Sequence, residues 1–277
     1  LTPCEGVISA STGHINVHES GAIESTGHKV LTLEGHNGLI DAGDLRKYME
    51  AFTADPTNEH MVQPGMVYVS YSSELGTIYT KSQLTAIKTV CDNYGLKLFV
   101  DGARLGAGIM CDEADMSMSD IAGLCDAFYI GGTKNGALFG EAVVFPNPET
   151  LNLKHFTTII KQQGGLLAKG RLLGIQFEVL FEDGLYYRNA KHANSQAMKI
   201  KRAFIERGIP FLIDSPTNQQ FPILTRKQHE ALSAKFSYET WHPMNDGRIA
   251  VRFCASWATT DEAIDAQNLT AIRPSFM

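Results

Sequence analysis

Two stretches decide the fold: LKLFVDGARLGAG at residues 96–108 and DAFYIGGTKNGALFGEAVVF at residues 126–145. Leu98, Phe99 and Val100 form an apolar run without alternation. That is the pattern of a strand covered on both faces, as in a parallel sheet flanked by helices. The run stops at Asp101 and Gly102, and a carboxylate at the end of a buried strand is costly unless something cationic meets it. Residues 127–130 repeat the pattern, and Gly131-Gly132-Thr133-Lys134 follows where that strand should end. Residues 143–145 read as a third strand. Two opposite charges, Asp101 and Lys134, are therefore delivered to one edge of one sheet. In open α/β sheets the carboxyl edge is where ligands bind.

Working outward, strand and helix signals alternate. Residues 7–11, 29–33 and 66–70 read as strands. Residues 41–52 and 80–94 read as amphipathic helices, the second stopped by Gly95. That alternation predicts βαβ units and a parallel sheet. Residues 53–65, polar and carrying Pro56 and Pro64, read as a surface loop. Residues 154–181 read as one long, largely helical stretch containing Gly164-Gly165. From about Leu185 the pattern changes to a basic helix over 186–207, strands at 211–213, 220–224 and 249–253, and a helix over 260–272 that starts at Thr260-Asp261-Glu262. The expected architecture is a large α/β domain with a mostly parallel sheet over residues 1–184 and a small α+β domain over residues 185–277.

The chain has 277 residues, 44% hydrophobic and 19% charged, with a net charge of −6. That composition is globular. An acidic balance without a basic patch argues against a nucleic-acid or anionic-membrane partner. No apolar run approaches the ~20 residues of a membrane-spanning helix. The five cysteines form no CxxC pair and read as reduced thiols, which suits a cytoplasmic location. Neither GARLGAG nor GGTKNG completes a nucleotide-binding glycine motif.

Taken together, VDGARLG at residues 100–106 and GGTKNGALFGEAVVF at residues 131–145 resemble the threonine aldolase group of pyridoxal-phosphate enzymes, with their type I, aspartate-aminotransferase-like fold. The resemblance runs from about His14 to VRFCASWATTDEA at residues 251–263. It implies that Asp101 pairs with the pyridine nitrogen, that Arg104 lies beside cofactor and substrate, and that Lys134 forms the Schiff base in a cofactor-binding turn shared with Thr133. It further implies that His14 lies flat on the cofactor ring and that Arg252 holds the substrate carboxylate, with Arg248 as the competing arginine. KQQGGLLAKGRLLG at residues 161–174 takes the place of the family's phosphate-reaching basic residue, so Lys169 or Arg171 is expected there.

The residue types suit that chemistry. Pyridoxal phosphate is an electron sink while its ring nitrogen is protonated, which a buried carboxylate favours. A nucleophilic lysine needs a lowered pKa, from desolvation or a nearby cation. A guanidinium offers a carboxylate a planar, bidentate partner. Glu74, the first charge beyond the strand at 66–70, stands where many threonine aldolases carry a histidine. His14, Glu74 or a bound water is thus left to take the β-hydroxyl proton. The implied reaction is carbon–carbon lysis of a β-hydroxy-α-amino acid to glycine and an aldehyde, by a homodimer or homotetramer. Alternatives are β-elimination or another amino-acid reaction on the same fold, and a non-catalytic truncated homologue. The family's Ser-Gly-Thr phosphate turn has no counterpart before Val7, so the sequence reads as lacking its N-terminal part.

Overall fold

The computed structural model describes residues 1–266. The chain opens with β1 (Glu5–Ala10), α1 (His14–Val17), α2 (Ala22–Ser25), β2 (Val30–Leu33), α3 (Ala42–Ala54), β3 (Gln63–Ser70) and α4 (Lys81–Tyr94). It continues through β4 (Lys97–Asp101), α5 (Leu105–Ile109), α6 (Met118–Leu124), β5 (Ala127–Gly131), β6 (Glu141–Val144), α7 (Phe156–Gln162), α8 (Arg171–Phe181) and α9 (Leu185–Ile205). The last part holds β7 (Gln219–Gln220), β8 (Ile223–Leu224), α10 (Arg226–Ser233), β9 (Glu239–Pro243), β10 (Ile249–Cys254) and α11 (Asp261–Ala266).

Six strands form one sheet in the order β2-β1-β3-β4-β5-β6. The first five are parallel, and β6 runs antiparallel to β5 at the edge. The order reverses between β1 and β3, which makes their carboxyl ends the topological switch point where such sheets take ligands. Helices hold the sheet because their apolar positions recur at helical spacing. Leu45 and Met49 of α3, Leu84, Ile87 and Val90 of α4, and Ile121 of α6 pack with Val67, Val69, Leu98 and Val100 of the central strands. Helix α4 is sharply bounded. Thr80 and Gln83 form a reciprocal capping box, and Gly95 closes the other end at φ 69°. The cap alone contributes about 1 kcal/mol.

Beyond α8, β10 is paired antiparallel along one edge by β7 and β8 and along the other by β9. A second cluster of Ile200, Phe204, Leu224, Leu232, Val251 and Phe253 sits beneath this small sheet. Helix α9 serves both cores. Tyr186 near its start belongs to the first cluster and Ile200 and Phe204 near its end to the second. The expected boundary at 184/185 thus falls at the start of a shared helix.

Several expected elements differ. Strand β3 begins at Gln63, inside the expected loop: Gln63 and Pro64 already pair with Glu5 and Gly6, and the register shifts at Gly65, which has no partner before Met66 meets Val7. The stretch 154–181 is two helices: Gly164 at φ 78° ends α7, and a turn over residues 163–170 separates it from α8. Residues 211–213 reach only an isolated bridge, Phe211 to Pro222. The expected strand 220–224 is split at Phe221-Pro222, where proline offers no N–H. Strand β9 was not expected, being exposed and ending in proline. The helix expected over 260–272 is seen as α11, and residues 267–272 lie outside the described residues.

Candidate active site

The ends of β4 and β5 meet because both carry glycine. A Cβ on Gly102 would lie 1.8 Å from the carbonyl oxygen of Tyr129, and one on Gly131 would lie 2.4 Å from that of Ala103. The turns that carry Asp101 and Lys134 therefore pass backbone to backbone, with Gly131 N donating to Gly102 O at 2.8 Å.

Asp101 is 6% exposed at the end of β4. Its Oδ1 accepts from Ala103 N at 2.8 Å and from the Tyr129 hydroxyl, and its Oδ2 accepts from the Tyr68 hydroxyl at 2.7 Å. Tyr68 and Tyr129 come from the neighbouring strands β3 and β5.

Lys134 sits in a single helical turn, Thr133–Asn135, pinned from both sides. Glu141 accepts from Gly132 N at 2.5 Å and from Thr133 Oγ1 at 3.2 Å. Asn135 Nδ2 donates to Tyr186 O at 2.8 Å, and Asn189 Nδ2 donates to Asn135 O at 3.0 Å. Although the Lys134 side chain keeps accessible surface, the protein around its amine lowers its pKa. Desolvation is the main cause and the Arg104 guanidinium the next, against the opposing charges of Asp101 and Glu141. Arg104 leads into α5. Its Nη2 reaches Cys254 Sγ at 3.9 Å, and its Nε is buried with no hydrogen-bond partner.

At the switch point, His14 and Glu74 meet. Glu74 is 7% exposed, and its Oε1 accepts from Ser70 Oγ at 2.6 Å and from His14 N at 2.9 Å. Burial pushes the Glu74 carboxyl pKa up. His14 opens α1, and its Nδ1 is 2.5 Å from Glu19 Oε1. Its ring lies tilted against that of His18, centroids 5.0 Å apart.

Arg252 projects from β10. Its Nη1 donates to Gln219 Oε1 at 3.3 Å, its Nη2 pairs with Glu239, and its guanidinium lies 5.0 Å from the Trp241 ring centroid. Gln219 Nε2 donates to Ser73 O at 3.3 Å, so the small sheet is tied to the segment that carries Glu74. Arg248 instead pairs with Asp246 at the turn before β10.

The structure thus links Asp101, Arg104, Thr133 and Lys134 at one sheet edge, joins His14 to Glu74 beside it, and connects Arg252 through Gln219. Lys169 and Arg171 lie outside this set, exposed where α8 begins. Five further residues belong to it: Tyr68, Tyr129, Glu141, Glu19 and Gln219. A tyrosine in each apolar run flanking Asp101 was the available signal, because a buried Tyr hydroxyl needs a partner. Three features suit the pyridoxal phosphate that the resemblance implies. Asp101 keeps acceptor capacity, the Lys134 amine is partly desolvated by the protein around it, and a buried cationic N–H of Arg104 has no acceptor of its own.

A model of the beta-eliminating lyase family matches residues 1–224. The low specificity L-threonine aldolase of Pseudomonas sp. (strain NCIMB 10558) is 31% identical over 265 residues, covering 93% of this chain and 73% of that protein. Its counterpart from Pseudomonas aeruginosa is 30% identical over 264 residues, with the same coverage. Among solved structures, Leishmania major threonine aldolase superposes with a TM-score of 0.90 at 41% identity, over 98% of this chain and 79% of that one. Thermus thermophilus aspartate aminotransferase, at 16% identity and a TM-score of 0.68 over 96% of this chain and 69% of that one, shares the fold.

Proposed function

We propose a function from one premise: this chain belongs to the beta-eliminating lyase family. Within it, the protein is a pyridoxal-phosphate-dependent carbon–carbon lyase that cleaves threonine and related β-hydroxy-α-amino acids to glycine and an aldehyde. The observation that carries this reading is the close backbone approach of the turns that carry Lys134 and the buried Asp101 carboxylate at one sheet edge. Its relatives' activity, as threonine aldolases, supports it.

Bound pyridoxal phosphate supplies an electron sink for the pair left at Cα when the Cα–Cβ bond breaks. Lys134 would hold the cofactor covalently through its amine, Asp101 would meet the ring nitrogen, and Arg104 and Thr133 would line the same turn. Gly132 and Thr133, clamped by Glu141, keep the lysine's turn in place. His14 takes the β-hydroxyl proton at Nε2. Glu19 occupies Nδ1, which orients the ring and leaves the other nitrogen as the acceptor. Glu74 is a positioning group: its Oε1 is committed to Ser70 and to the backbone of His14. Arg252 binds the substrate carboxylate. Lys169, on the exposed turn before α8, would be the basic group for the phosphate, although it lies outside the set described above.

The protein works as a homodimer or homotetramer. Leu172, Ile175 and Val179 lie on one face of α8 and are 52%, 47% and 49% exposed, and Leu138 beside them is 86% exposed. An apolar face of that kind marks an interface. It adjoins the site, since Gln176 of α8 accepts from Leu138 N at 2.7 Å, four residues beyond Lys134. Light scattering would give a mass of at least two chains. No helix among the described residues is long and apolar enough to cross a membrane. The free thiols fit a reducing, cytoplasmic location.

The test is direct. The protein is incubated with L-threonine and pyridoxal phosphate, and glycine and acetaldehyde should appear in equal amounts. Ammonia with 2-oxobutyrate would reassign it to β-elimination. No product from threonine, serine or phenylserine would leave a non-catalytic homologue.

A further inference from the structure

The carboxylate of Asp101 is unusually well supplied with donors. Strand register puts Ser70 beside Asp101 and Tyr68 beside Phe99, so Tyr68 and Asp101 share one face of the sheet. Tyr129 follows on the other side, since Val100 pairs with Phe128. Phe99 separates the two phenols, stacked on Tyr68 at 5.1 Å and tilted to Tyr129 at 6.1 Å. The rings are thus held upright, and both hydroxyls end on Asp101: Tyr68 on Oδ2 at 2.7 Å, Tyr129 on Oδ1. Ala103 N adds a third bond, to Oδ1 at 2.8 Å. An ionised carboxylate offers about four acceptor positions. Oδ1 is filled, and Oδ2 keeps one.

We propose that Tyr68 and Tyr129 are positioning residues that hold Asp101 as an anion and leave Oδ2 as the single place for the cofactor's ring N–H, so that the proton stays on the ring nitrogen. The inference rests on the pyridoxal-phosphate reading of this site. Its physical basis is that hydrogen bonds donated to an ionised carboxylate favour that form. Without them, a buried carboxylate competes for the proton it is meant to hold on the nitrogen, and the electron sink weakens. Both phenols suit the task. Burial first, and then the charge of Asp101, raise the pKa of each far above the ordinary tyrosine range, so both remain O–H donors at any working pH. A merely structural role would be different: the hydroxyls would satisfy buried oxygens, and their loss would weaken folding or cofactor affinity without moving the proton.

The experiment separates these roles on the protein loaded with ring-15N pyridoxal phosphate. Wild type, Tyr68→Phe, Tyr129→Phe and the double variant are compared by the 15N shift of the ring nitrogen at saturating cofactor, and by the rate of glycine formation. The wild type should show a protonated ring nitrogen. Each single variant should move toward the unprotonated shift and lose on the order of tenfold in rate, and the double variant should move further. Should the double variant fail to fold, the two isosteric single variants decide the matter. An unchanged 15N shift in the variants, whatever happens to cofactor affinity, overturns the proposal. An unprotonated nitrogen in the wild type overturns it equally. A wild-type protein that binds no pyridoxal phosphate would instead remove the reading of the site itself.

Discussion

The floor and the wall of the site are built on opposite principles. On the floor, Asp101 is 6% exposed and its hydrogen-bond partners all come from β3, β5 and the turn it begins, so its charge is oriented before any ligand arrives. On the wall, the Arg252 guanidinium is half-buried and already neutralised by Glu239, itself on an exposed edge strand. The floor is preorganised by a parallel sheet whose register admits few alternatives. The wall holds its cation in a pair that a ligand carboxylate must displace. Substitutions on the floor should therefore affect the chemical step and those on the wall the binding of substrate.

The largest expected effect is on the floor. Lys134→Ala should abolish both covalent attachment of pyridoxal phosphate and glycine formation, because no other lysine amine is brought to this sheet edge among the described residues. The visible absorbance of the bound cofactor and a product assay read the two separately. Turnover at the wild-type rate would break the assignment. Next, Asp101→Asn keeps the shape and removes the charge. A loss of a hundredfold or more in kcat, on the order of 3 kcal/mol, is expected. A variant within threefold of wild type would show that the floor's charge is only structural.

The contrast between floor and wall also explains what the sequence disclosed. Asp101 was legible because it ends an apolar strand run, whereas Lys134, set beyond the next run by Gly131-Gly132-Thr133, stood out only through its match with Asp101 and the family pattern around both. The switch point between β1 and β3 was not legible, because it depends on the strand order and only pairing reveals that. Tyr68 and Tyr129 were not singled out, since a tyrosine within an apolar run reads as a strand residue and only register shows where its hydroxyl ends. Glu239 was hidden for a different reason: β9 is short and exposed, and its identity depends on pairing with β10 thirteen residues on. The dyad of Glu19 with His14 needed the one-turn helix α1 to be seen first. The apolar face of α8 was blurred because residues 154–181 read as one helix, whereas Gly164 ends α7 and resets the helical phase.

Arg104 lies between floor and wall and sharpens the comparison through pH. Its guanidinium helps to lower the Lys134 pKa, second to desolvation. A lowered amine pKa means more free amine at a given pH, so removing the cation has the opposite sign. Arg104→Met should raise the Lys134 pKa and move the pH midpoint for covalent cofactor attachment upward. At neutral pH, attachment should slow severalfold. A midpoint that stays or falls would mean that desolvation alone tunes the lysine.

On the wall, Arg252→Ala should raise KM for threonine by tenfold or more with a smaller change in kcat, since the carboxylate is held in ground and transition states alike. An unchanged KM would move that task elsewhere.

The smallest effect, and the most specific to the wall, is expected at Glu239. Its carboxylate sits on the Arg252 guanidinium that the substrate is to use, so it acts as a built-in competitor. Because Glu239 is about half exposed, water screens the pair and its net strength is modest. Gln219 and the Trp241 ring still hold the guanidinium when the glutamate charge is gone. Glu239→Gln should therefore lower KM for threonine by about twofold to fivefold, equivalent to roughly 0.4–1 kcal/mol, and leave kcat unchanged. High salt should narrow the difference between variant and wild type, since it screens the wild-type pair. A KM that rises in the variant would show that Glu239 orients Arg252 for the substrate, and the wall would then be preorganised like the floor.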